Sequence, residues 1–114
     1  MRNTIVYIET EKAKYPLVFN LNVMEEIQEQ YGSLDNWGAL TQGDGEPHIK
    51  DLKNGIMAMI NEGIDIENEG REQKELFLTR KQVGRILSEV GIPYVIEKIK
   101  EITIASTKGE EKNA

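Results

Sequence analysis

Two short runs hold the side chains that could do chemistry. The first is DIENEG, Asp65–Gly70, with carboxylates at alternating positions. A calcium loop needs short oxygen ligands at such positions and a bidentate Glu to close it. Here the third and fifth positions are Glu67 and Glu69, too long for the usual tight loop. The closing position is Leu76, with Glu75 one residue off. The plain reading is a solvated acidic loop. The second run is DGEPHIKD, Asp44–Asp51, which carries the chain's only histidine, His48, near Asp44, Glu46 and Asp51. Carboxylates can orient or co-ligate an imidazole. One His with flexible carboxylates still makes a poor catalytic metal site. A surface histidine near a helix N-terminus is the simpler account.

Other chemistries lack their residues. The chain has no Cys, hence no thiolate, no disulfide framework and no Cys-based zinc site. It has neither G-x-G-x-x-G nor a P-loop. No Ser–His pairing follows from the spacing, and no carboxylate stands in an apolar run that would shift its pKa. No enzyme, cofactor or metal is expected.

One constellation supports a rival binding function. TRKQVGRILSEVGIPYVIEKIK, Thr79–Lys100, reads as a capped helix, a Gly turn and a second helix. Arg80, Lys81, Arg85, Lys98 and Lys100 outnumber Glu89 and Glu97, as a helix-turn-helix DNA-binding protein would require. The second helix begins IPYVIEKI, however, which is apolar where bases would be read. Ordinary helix packing is the simpler account. The whole chain is acidic, with net charge −6, and a general nucleic-acid affinity needs Lys and Arg to replace counterions. No nucleic-acid partner is expected.

The 114 residues suit one domain, and 39% apolar residues supply one modest core. The N-terminal apolar run is too short for a signal peptide, and no stretch reaches the ~20 apolar residues of a membrane span. A soluble intracellular protein with no membrane partner is expected.

The elements that would position these residues follow from periodicity. Thr4–Glu9 and Tyr15–Asn20 are β-branched and aromatic runs around a short polar loop, which predicts a β-hairpin with Pro16 at a strand start or edge. Leu21, Met24, Ile27 and Tyr31 predict an amphipathic helix, capped by Asn20 or Asn22 and ended by Gly32. Ser33 can cap a short helix bearing Leu34, Trp37 and Leu40. Thr41–Pro47 is a linker. A long helix is predicted from about Pro47 to Glu62, ended by Gly63, with Gly63–Leu76 as a polar loop. Thr79 and Gln82 form a capping box, and Leu78 with Val83 a hydrophobic staple, before a helix with Val83, Ile86, Leu87 and Val90 inward and Gly91 at its end. Pro93 opens a last helix with Val95, Ile96, Ile99 and Ile102 inward. The fold class is α+β, mainly α: an N-terminal β-hairpin followed by about five helices. Residues 1–107 form the single domain and 108–114 a flexible tail.

The longest apolar stripe, Ile49, Ile56, Met57, Met59 and Ile60, is either core or a partner groove. Met recurs at adaptable binding surfaces, but core is the commoner role. Trp37 is either an anchor on a partner or a lid over a small core. These six residues are the candidate partner-binding set.

The hairpin ending in YPLVFNLNVMEEIQEQYGSLDNW resembles the start of the tail assembly chaperones of tailed phages and of prophages in Gram-positive hosts. The family pattern is Phe-x-Leu, two spaced hydrophobics, an aromatic and Gly-Ser. It falls on Phe19, Leu21, Met24, Ile27, Tyr31, Gly32 and Ser33. The later helices extend the resemblance to about Thr4–Thr107. It implies a protein that binds the long helical tape-measure protein before the tail tube polymerises around it, and that helps recruit tail tube subunits. It also implies a place in the host bacterial cytoplasm and absence from the mature virion. A chaperone that coats a long helix can also self-associate. In that family a longer form often arises by ribosomal frameshifting, and Glu111-Lys112-Asn113 could be encoded by a slippery run. The apolar helix faces of a tape measure would otherwise aggregate, and helix-in-groove binding would mask them.

Overall fold

The computed structural model describes residues 4–113, with the side chains of 4–106. The expected tail, 108–114, and the tripeptide Glu111-Lys112-Asn113 therefore lie outside the described side chains. The chain runs β1 (Val6–Glu9), β2 (Lys14–Leu17), α1 (Leu21–Tyr31), α2 (Leu34–Gln42), α3 (Ile49–Asn68), α4 (Arg80–Val90) and α5 (Ile92–Asn113). This is the expected hairpin followed by five helices.

The strands pair antiparallel, Val6 opposite Leu17 and Glu9 opposite Lys14. Thr10 closes the turn. Its amide donates to the Ala13 carbonyl at 2.9 Å, and its hydroxyl oxygen accepts from the amides of Lys12 and Ala13. Pro16 lies opposite Tyr7. In a two-stranded sheet both strands are edges, so its missing N–H disturbs no second ladder.

Helix ends follow local chemistry. Asn20 accepts from the Val23 amide and Ser33 from the Asn36 amide. Thr79 and Gln82 cap each other reciprocally. Gly32 and Gly91 stop α1 and α4 with φ of 82° and 90°, where a Cβ would be strained.

Two expectations about apolar faces are corrected. In α1 the buried residues are Val23 and Ile27, while Leu21 is 73% exposed. Val23, Ile27 and Tyr31 make an i, i+4, i+8 stripe. Leu21 lies two residues before it, about 200° round the helix. The long helix does not end at Gly63. It continues to Asn68, and Gly63 sits against the hairpin, where a Cβ would lie 2.8 Å from Pro16 Cβ and 3.2 Å from its carbonyl oxygen. Gly63 is therefore a close-approach residue, and Asp65–Asn68 is helix where a loop was expected.

The hairpin lies between α3, which packs on β2, and α5, which packs on β1. The Val18 amide donates to the Met59 carbonyl on α3 at 3.3 Å. Ile8, Leu17, Ile56, Met59, Ile60, Val83, Val95, Ile99 and Ile102 fill the core. Trp37 enters it from α2. Its ring lies over Gly55 and its indole N–H donates to the Asp51 carbonyl at 2.8 Å.

Candidate partner-binding site

Most of the residues singled out for partner binding are interior. Trp37 is 3% exposed, and Ile56, Met59 and Ile60 are fully buried. The stripe on α3 is thus core on that side, where β2, α1, α2 and α4 pack on the helix. Only Ile49, at the first turn and 49% exposed, and the half-buried Met57 reach the surface.

Met57 leads to the surface that can bind. An open groove of ≈ 280 Å³ runs between α1 and α3. Met57 contributes apolar surface above the buried Val23 and Ala58, and Phe77 contributes from the connection between α3 and α4. Phe77 is 54% exposed and its neighbour Leu76 is 88% exposed. Two bulky apolar side chains side by side on a connection cost hydration in the free protein.

They are held there by two asparagines of α3. Asn61 donates to the Leu78 carbonyl at 3.1 Å and accepts from the Leu78 amide at 2.8 Å. Asn68 does the same for Glu75, at 3.0 and 2.8 Å. Each side-chain amide thus imitates a strand neighbour. The spacings agree: seven helical residues rise about 10.5 Å, and three extended residues span about 10 Å. Residues 75–78 are laid along α3, with Leu76 and Phe77 between the two attachment points. Arg71 braces the same connection through ion pairs to Glu67 and Glu75. The Lys74 ammonium reaches the carbonyls of Asn68 and Arg71.

The two runs read for chemistry are used otherwise. Asp65 and Glu67 lie on α3, so they do not wrap an ion as a calcium loop would. Glu67 accepts from the Tyr7 hydroxyl at 2.8 Å and pairs with Arg71. His48 lies 3.4 Å from Asp51, which also accepts from the Tyr31 hydroxyl at 2.8 Å. Asn54 donates to that hydroxyl and accepts from Arg80. This polar chain ties α1, α3 and α4 together. Both phenols titrate above their ordinary value of 10.0. For Tyr7 the bond to the Glu67 carboxylate is the main cause, with burial adding. For Tyr31 it is burial, reinforced by Asp51 and opposed by Asn54.

The helix pair α4–α5 is built as packing. The Tyr94 hydroxyl accepts from the Glu9 amide at 3.1 Å, and Val95 is fully buried. A DNA reader would need this first turn of α5 in a groove; here it is docked on β1.

Sequence reasoning missed Phe77, Leu76 and the two asparagines. The signal present was the apolar run Leu76–Leu78, in a polar stretch and outside any helical period. Comparison with protein-family models, with curated proteins and with solved structures gave no match.

Proposed function

We propose that this chain is a phage tail assembly chaperone. It binds helical segments of a tape-measure protein in the host cytoplasm, helps bring tail tube subunits to them, and leaves before the virion is complete. It performs no catalytic step. The observation that carries this reading is the groove between α1 and α3, with Phe77 fixed at its border by Asn61 and Asn68. A partly preformed slot that presents Met57 and Phe77 loses little order when it takes up the apolar face of a helix. The pattern from Phe19 to Ser33 is support of a separate kind.

The test is co-expression with the largest neighbouring gene product, which on this reading is a long helical protein, followed by co-purification. The long protein should be soluble only with this chain, and Phe77→Glu should release it. Solubility of the long protein alone, or the absence of any complex, would defeat the reading.

A further inference from the structure

The walls of the groove carry charge of one sign. Glu26 stands on α1, and Glu62 and Asp65 on α3; none of the lining residues is Lys, Arg or His. Glu62 accepts from the side-chain amides of Asn20 and Asn22 at 2.8 and 2.9 Å. Those donors are neutral and leave its charge uncompensated. Glu26 and Asp65 make no ion pair among the described residues. The groove therefore sets Met57 and Phe77 between carboxylates on both walls.

We propose that its occupant is one amphipathic helix whose apolar stripe is flanked on both sides by Lys or Arg. This rests on the reading of the chain as a helix-binding chaperone, and adds the rule by which it selects its segment. Glu62 and Asp65 are three residues apart, about 4.5 Å along α3. That spacing matches cations one helical turn apart on a helix lying alongside. Glu26 meets cations on the opposite flank. A neutral helix would leave the carboxylate charges uncompensated, and an acidic one would be repelled. A second copy meeting this face symmetrically would set carboxylate against carboxylate. The basic residues of α4 do not supply the occupant either. Arg80, Lys81 and Arg85 are exposed, but the large apolar side chains Val83, Ile86 and Leu87 on that helix are buried in the core.

The test uses the full chain and three synthetic helical peptides. They share one Leu/Ala stripe, flanked by Lys, by Gln or by Glu. Binding is followed by fluorescence anisotropy of the labelled peptide at low salt and at ~1 M salt, where the Debye length falls to about 3 Å. The Lys peptide should bind about tenfold tighter than the Gln peptide, as three partly exposed charge pairs allow. The advantage should vanish at high salt and in the Glu26→Lys/Asp65→Lys variant, whose two sites are exposed and accept no side-chain bond that folding needs. Phe77→Ala should weaken all binding without changing the preference. Equal binding of the Lys and Gln peptides, or a preference that survives charge reversal, would overturn the proposal. No binding of any peptide up to ~1 mM would overturn it too. If the long neighbouring protein still co-purifies in those cases, the chaperone reading stands without the charge rule. If the Lys peptide binds as expected and the long protein does not co-purify, the charge rule stands and the chaperone reading falls.

Discussion

Replacing Gly55 by alanine would drive a methyl group into the indole of Trp37. A Cβ at that position would lie 2.1 Å from Cζ2, 2.5 Å from Cε2 and 2.8 Å from Nε1. No side chain tolerates such contacts, so the ring must move. It is 3% exposed and wedged between α2 and α3, so it has little room. Three effects set the size. Overpacking of a filled core costs about 1–3 kcal/mol. Displacing the ring also breaks the bond from its N–H to the Asp51 carbonyl, which costs about 1 kcal/mol. Against this, alanine inside a helix is favoured over glycine by about 1 kcal/mol. The net expectation is a loss of about 2 kcal/mol, or about 6–10 °C in Tm for a domain of this size. Gly38→Ala is the internal control. It lies within α2 with nothing within 4 Å of its Cβ position, so only the helix effect remains and the fold should gain up to about 1 kcal/mol. Urea unfolding followed by circular dichroism gives both numbers. Trp37 is the only tryptophan, so its emission reports the ring directly and should shift to the red in Gly55→Ala. Unchanged emission with stability equal to the parent would refute the packing of Trp37 on α3.

Three further outcomes are expected. Asn68→Ala removes both bonds to the Glu75 backbone and should cost about 1–2 kcal/mol, with faster hydrogen exchange at the Glu75 amide while Leu78 stays protected by Asn61. Thr79→Ala opens the capping box of α4 and should cost about 1 kcal/mol in the same unfolding assay. The third concerns pH. Tyr7 and Tyr31 have folded pKa values above the ordinary 10.0, so the neutral phenols favour the fold. Their contribution is complete below pH 10 and is lost as pH rises through the raised values. Stability measured across that alkaline range should fall less steeply in Tyr7→Phe/Tyr31→Phe than in the parent, because lysines that titrate nearby are common to both.

Much of the fold is legible in the sequence because it is decided within a few residues. Asn20, Ser33 and the Thr79–Gln82 pair satisfy amides three positions away, and Gly32 and Gly91 take the positive φ that ends a helix. The pairing of Val6–Glu9 with Lys14–Leu17 around a turn made by Thr10 is equally local. The groove is not local. Its wall residue Phe77 looks like part of an approach to α4 until Asn61 and Asn68, on another helix, fix the backbone on either side. A stripe of apolar residues on α3 announces burial but not which partner covers it. The hairpin packs on α3 and bonds to Met59, while Met57 is left to the groove.

Gly63 poses the same difficulty in one residue, and its two meanings can be separated. A glycine after a run of helical spacing reads as a terminator, and it would then matter through its own backbone alone. Inside α3 it matters through Pro16, whose Cβ and Cγ would lie 2.8 and 2.9 Å from an added methyl. Gly63→Ala should therefore destabilise the fold despite the better helix propensity of alanine. The net cost should be about 1–2 kcal/mol after that gain of about 1 kcal/mol. The decisive quantity is the coupling with Pro16→Gly, which removes the ring atoms the methyl would meet and leaves only the carbonyl oxygen, at 3.2 Å. If the glycine serves close approach, the double variant should recover much of the loss, with a coupling energy of about 1 kcal/mol. If the glycine acted only on its own backbone, the two substitutions would add. Additivity within about 0.3 kcal/mol would show that the hairpin does not rest on α3 at this point.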